Sequence, residues 1–263
     1  MLRLFINLDR APKRLELIEQ RLSHFSCPFE RVAAIDGKSL NQSDIDLLKP
    51  HLFSLNKIWF PYQLINNEYA CFLSHRKCWK KLVESKEDYA VILEDDVEFS
   101  PDAEAYLTNS DWIPSHVHII QLAAPFATPQ TLYVKNQSIV IHKNNYANLY
   151  EIVAPTAIGA IAYIISRKAA TIALEMSSQI AAPVDEFLFS PKSPLRKKFS
   201  FFKLSPGIGY QCGITSTIST HPRNGPKPLI ARLHPYSIFL KFKLICKRLT
   251  HKQKVNFFLN AVR

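Results

Sequence analysis

Three carboxylates stand together at Glu94, Asp95 and Asp96, directly after the apolar run from Ala90 to Leu93. Such a run is a strand that buries itself, and the acids emerge where it stops. In open α/β sheets, ligands bind outside the carboxyl ends of the strands. Three neighbouring anions repel one another, so the cluster needs water or a cation. A hard divalent ion with oxygen ligands meets that need and can bridge to a diphosphate. A solvated acidic turn is the plain alternative, and the residues alone leave both open.

Other residues are placed to serve the same site. Asn7, Asp9, Arg10 and Arg14 follow the first apolar run, where a nucleotide-binding α/β domain would meet base and ribose. An arginine there suits a phosphate. A helix start with an exposed basic face explains the same residues. Asp36 closes a second apolar segment and is expected at a uracil or ribose, or as the first residue of a plain Asp-Gly turn. Ser74 and His75 lie on the helix before the acidic strand, with Phe72 and Trp79 as core. Histidines in such places are mostly structural. Asp185 and Glu186 are the last acids in the chain, and the bland account of Asp185 is a helix N-cap. Gly207-Ile208-Gly209 lacks the strand–turn–helix setting of a phosphate loop.

These side chains need a scaffold, and the apolar pattern supplies one. Leu2 to Leu8 is a buried strand, and Pro12 opens a helix carrying Leu15, Ile18 and Leu22 on one face. Phe29 to Ile35 and Val117 to Leu122 read as further strands. Helices are expected over about 68–84 and 167–176, with Ala157 to Ser166 an apolar segment between them. Strands alternating with helices argue for an α/β fold on a mainly parallel sheet. Seven of the 17 prolines fall between Pro191 and Pro235, so that stretch is mostly loop. Tyr236 to Leu249 then becomes an amphipathic basic helix.

The chain has 263 residues and a net charge of +11, unevenly placed. Residues 1 to 186 hold 18 basic and 22 acidic residues; residues 187 to 263 hold 15 basic residues and no acid. That asymmetry calls for an anionic partner. The terminal helix suits an anionic membrane surface, although it would equally lie on the domain with solvated lysines. No nucleic-acid motif accompanies it. Composition excludes disorder and collagen-like repeats. Five cysteines without a C-x-x-C pair argue against a disulfide framework or zinc knuckle and for a reducing compartment. With no signal peptide and no bilayer-spanning run, a cytoplasmic location is expected.

The segments LFINLDRAPKR, EYACFLSHRKCW, VILEDDV and APVDEF, in that order, resemble glycosyltransferase family 25 over about residues 1 to 220. One departure is Asn67-Glu68 where the family often has Gly-Glu, which bears on the local backbone there. The resemblance implies a GT-A-like fold and an inverting enzyme that takes a sugar from a UDP-sugar. It makes Asp96 a ligand of Mn2+ or Mg2+, sets Glu94 near the ribose or sugar, and gives Asp95 a supporting part. It assigns Ser74 and His75 to donor binding, Asp185 to the catalytic base with Glu186 as its fallback, and His221 to a further metal ligand. The implied division is a transferase domain over 1–220 and a basic segment over 221–263. The resulting expectation is a hexosyltransferase, with galactose from UDP-galactose the family-level sugar. It would work at the inner face of a bacterial membrane on a lipid-linked saccharide of lipooligosaccharide. A metal-dependent nucleotidyltransferase or phosphodiesterase, and a non-catalytic membrane-binding module, fit the same residues.

Overall fold

The first strand, β1 (Leu2–Asn7), alternates its side chains between two cores, and this sets the layering of the whole molecule. Leu4 and Ile6 face one buried cluster and Phe5 the other. The computed structural model describes residues 1–49, 63–124, 130–142, 147–155, 159–211 and 254–257. Helix α1 (Pro12–Leu22) has proline in its first turn, where the missing N–H costs nothing, and buries Ile18 and Leu22. It leads into β2 (Glu30–Ala33), which lies parallel to β1. The short α2 (Gln42–Leu48) is capped by Asn41, whose side chain accepts from the Asp44 N–H at 2.9 Å.

Helix α3 (Asn66–Glu84) is the long buried helix of the fold. The Glu68 carboxylate accepts from the Ile65 N–H at 3.0 Å and so closes its first turn. Phe72, Trp79 and Leu82 recur on one face and are essentially inaccessible. They rest on the side of the sheet that carries Leu4, Ile6 and Ile92. The acidic strand β3 (Tyr89–Glu94) pairs parallel to β1, with Ile6 opposite Glu94. Asn7 and the acidic run therefore emerge at the same edge.

The remaining strands are β4 (Val97–Phe99), β5 (Ile119–Gln121), β6 (Gln130–His142), β7 (Ala147–Ala154), β8 (Ala162–Ser166), β9 (Phe202–Ser205), β10 (Gly209–Gln211) and β11 (Lys254–Phe257). Helices α4 (Glu104–Leu107), α5 (Arg167–Met176) and α6 (Val184–Phe189), with 3-10 turns at Pro101–Ala103 and Pro194–Lys197, complete the described elements. Nine strands form one sheet in the order β11-β6-β7-β9-β5-β8-β3-β1-β2, and β10 pairs with β4 apart from it.

The α/β layering expected of a GT-A-like fold is present, but the sheet is mixed rather than mainly parallel. Among the described strands, parallel pairing is confined to β2–β1, β1–β3 and β5–β9. Strand β8 enters antiparallel between β3 and β5, and β6, β7 and β11 add antiparallel pairs at the far edge. The β6–β7 hairpin interleaves polar residues with apolar ones, so its strands carry little of the unbroken hydrophobicity that marks a parallel core. Strand β11 brings part of the basic C-terminal segment onto this sheet. The basic stretch 236–249 and His221 lie outside the described residues. Among the described residues no helix is long and apolar enough to cross a membrane.

Candidate active site

A cleft of about 210 Å³ opens at the carboxyl ends of β1 and β3, walled by the α3 face and the approach to β8. Asn7, Arg10, Arg14, Asp36, Ser74, His75, Glu94, Asp95 and Asp96 all line it. Nine positions spread over 90 residues of sequence thus meet in one place, because β1 and β3 are neighbours and α3 crosses both. Asp9, Asp185 and Glu186 stand outside that lining.

The three acids take three different roles. Asp95 turns inward: its carboxylate accepts from the Asn7 amide at 2.7 Å and pairs with the Arg14 guanidinium. Burial pushes the Asp95 carboxyl up, while Asn7 and Arg14 draw it back down. Asp96 accepts from the Gln211 side-chain amide at 2.9 Å through Oδ2, with Arg14 at 3.4 Å from the same oxygen. Its Oδ1 is buried and has no hydrogen-bond partner among the described residues. An ionised oxygen in that condition is costly unless something positive reaches it. Glu94 meets His75 Nε2 at 3.2 Å. Burial raises its carboxyl above the ordinary range, with His75 opposing and the neighbouring acids reinforcing the shift.

His75 is fully buried, and both ring nitrogens are engaged. Nδ1 lies 2.9 Å from the Tyr163 hydroxyl, which also accepts from the Trp79 indole N–H at 2.9 Å. One proton arrangement satisfies the whole row. Trp79 donates to Tyr163, Tyr163 to His75, and His75 to Glu94. His75 thus ties Glu94 to the buried row behind the cleft. Ser74 is committed in the same way, since its hydroxyl donates to Ala70 C=O at 2.7 Å and accepts from the Ile35 N–H at 2.9 Å. It fastens the end of the second strand segment to α3.

At the mouth, Asp36 accepts from the Lys38 N–H at 3.0 Å, as an Asp-Gly turn requires, and also grips Arg10. The Arg10 contact and then the Lys38 N–H hold its carboxyl below the usual range. The turn is pressed against α3: a Cβ on Gly37 would lie 2.9 Å from the Asn67 backbone. Asp9 faces outward, 76% exposed, and pairs with Arg31 at 2.6 Å. Arg31 also donates to Asn7 Oδ1 at 3.0 Å, which turns the Asn7 amide nitrogen toward Asp95.

Asp185 belongs to the first turn of α6 and is not its cap, a place held by Pro183. Its Oδ2 accepts from the Gly159 N–H at 3.3 Å and its Oδ1 from the Glu186 N–H at 2.9 Å. Gly159 has φ of +90°, a conformation glycine adopts without steric cost, and it lines the cleft. Behind it, Gln121 donates to Gly159 C=O at 2.7 Å and accepts from Lys203 Nζ at 2.5 Å. Lys203 is buried and brought down to about 7 by desolvation.

Arg31, Gln211, Gln121, Lys203 and Cys71 were not expected at this site. Only Cys71 carried a local signal, because it precedes His75 by four residues, one helical turn. The others come from strands whose pairing partners are remote.

A cleft at the carboxyl ends of strands, with a few convergent charged groups, is where α/β domains bind their ligands. The chain is a member of glycosyltransferase family 25 (LPS biosynthesis protein), whose model matches residues 1–188. It is 26% identical over 211 residues to the lipooligosaccharide biosynthesis protein lic2B of Haemophilus influenzae, covering 79% of this chain and 75% of that one. It is 34% identical over 97 residues to procollagen galactosyltransferase 1-B of Xenopus laevis, covering 36% of this chain and 16% of that relative's length. A solved glycosyltransferase involved in glycosylating the major capsid of PBCV-1 aligns over 82% of this chain and 95% of its own. That alignment has 10% identity and a TM-score of 0.39.

Proposed function

We propose that this chain is a metal-dependent, inverting hexosyltransferase that moves galactose from UDP-galactose onto a saccharide of bacterial lipooligosaccharide. The observation that carries this reading is the buried, unpartnered Oδ1 of Asp96 at the carboxyl end of β3. A hard carboxylate oxygen beside a cleft fits Mn2+ or Mg2+. When bound, the cation offsets the charge that builds on the departing diphosphate.

The chain's own residues divide the remaining work. Arg10 and Asp36 at the mouth hold the uridine end of the donor, and Glu94 faces its ribose or sugar. Asp185, held behind the cleft wall by the Gly159 N–H, takes the proton of the acceptor hydroxyl as that oxygen attacks the anomeric carbon. The bond from that carbon to the β-phosphate oxygen breaks, UDP leaves with the electron pair, and the anomeric centre inverts. Glu186, the next residue, is the alternative base. The lic2B likeness supports a bacterial saccharide acceptor, and the collagen relative's name supports galactose. The six basic residues of 241–254, in a tail that has no acid after position 186, support docking on an anionic inner-membrane leaflet, at about 1 kcal/mol for each residue near the surface.

Thermal unfolding with a panel of UDP-sugars, with and without Mn2+, tests the reading in wild type and Asp96→Asn. Ligand that binds only the native state raises the midpoint by mass action. A metal-dependent rise with UDP-galactose, absent in the variant, is the expected result. Release of UMP rather than UDP would favour the phosphodiesterase chemistry. No rise with any nucleotide sugar would remove the transferase reading.

A further inference from the structure

Cys71, His75 and Glu94 bring a thiol sulfur, an imidazole nitrogen and a carboxylate oxygen within 4.8 Å of one another on the cleft wall. We propose that these three side chains form a second cation site, selective for a borderline-soft divalent ion such as Zn2+ and separate from the hard oxygen of Asp96. Cys71 and His75, four apart on α3, project from one helix face toward the end of β3, where Glu94 stands.

The donor set decides which cation this is. Thiolate and imidazole favour Zn2+ over Mg2+ or Mn2+, which prefer oxygen alone. Zn2+ bonds of about 2.0–2.3 Å in a tetrahedron set neighbouring ligand atoms about 3.5 Å apart. His75 Nε2 and Glu94 Oε1 already stand 3.2 Å apart, and the Cys71 sulfur lies within 4.8 Å of the other two ligand atoms. Cys71 and Glu94 both line the cleft, so a fourth position faces solvent or donor. The support behind the ligands is present as well. The Tyr163 oxygen, 2.9 Å from Nδ1, has a second lone pair beside the one used by Trp79, so it accepts the Nδ1 proton when Nε2 binds metal. The thiol proton leaves on binding.

The consequence for activity rests on the transferase reading: a cation here occupies Glu94 and blocks donor binding, so Zn2+ inhibits where Mn2+ activates.

Co2+ is the probe, because thiolate-bound tetrahedral Co2+ absorbs in the near ultraviolet and shows d–d bands in the visible. Titration of the full chain is expected to give bands that saturate, that Zn2+ erases, and that persist in Asp96→Asn. Both Cys71→Ser and Glu94→Gln should lose or shift them, and either variant suffices if the other fails to fold. Bands unchanged in the two variants, or no bands at all, would overturn the site. This spectroscopic result does not depend on turnover, so it stands or falls apart from the transferase reading.

Discussion

Asn7 and Asp95 are 88 residues apart in sequence and joined by a hydrogen bond of 2.7 Å. That bond, with the Arg14 ion pair beside it, turns the middle carboxylate of the acidic run back into the protein. Glu94 and Asp96, which line the same cleft, meet His75 and Gln211 instead. A run of three like charges is thereby divided among separate partners.

Asp95→Ala should therefore act on stability first. It strands the Arg14 guanidinium, only 14% exposed, with Asp96 as a distant substitute partner. Removing one member of a buried pair costs about 3 kcal/mol. Urea unfolding would show the midpoint falling with an unchanged slope. A change below about 0.5 kcal/mol, ordinary for a surface substitution, would contradict the assignment.

Asp96→Asn should do the reverse. The amide removes a charge that has one oxygen without a partner, so the unfolding midpoint should hold or rise. Calorimetric titration of Mn2+ with UDP should lose its signal in the same variant. Retained metal affinity would place the cation elsewhere.

Tyr163→Phe deletes the hydroxyl between Trp79 and His75. It leaves an indole N–H and an imidazole nitrogen unpaired in the core, at a cost of about 2 kcal/mol. Freed of its anchor, His75 should also lose its hold on Glu94. The check is the nitrogen chemical shifts of the His75 ring, which should change tautomer population in the variant and not in a distant core substitution.

Lys203 gives a pH signature. Its folded pKa of about 7 lies below the ordinary lysine value of about 10.4, because burial disfavours the charge. Between those two values the unfolded chain binds more protons than the folded one, so this group makes stability rise with pH. Below about 7 its penalty is fully present. Lys203→Met should flatten the rise of the thermal midpoint between pH 7.5 and about 10 relative to wild type. Parallel profiles for the two proteins would refute the assignment.

Gly37→Ala tests the close approach at the cleft mouth. The added Cβ would lie 2.9 Å from the Asn67 backbone, so either the turn or α3 must move. Overpacking of this kind costs about 1–3 kcal/mol. Because Asp36 sits on the same turn, UDP affinity should fall together with stability, measured by fluorescence titration and thermal melting. Unchanged affinity would detach Asp36 from the donor.

Much of this was written locally in the chain. The apolar runs of β1 and β3, the helical spacing of Phe72, Trp79 and Leu82, and the acids at Glu94–Asp96 depend on neighbours within a few residues, so the sequence by itself determined them. The cleft followed once parallel strands put the end of β1 beside the end of β3. What tertiary structure alone decided is partnership. No local period says that β8 enters antiparallel between β3 and β5, or that polar β6 and β7 form the far edge. Nor does it say that Asp95 spends its charge on Arg14 while Asp96 keeps an oxygen free. Lys203 falls in the proline-rich stretch that reads as loop, and its burial follows only once β9 sets it beside Gln121 and Ala123. Hydrogen bonds and ion pairs between distant segments are selected by the register of the sheet, and register is a property of the packed chain.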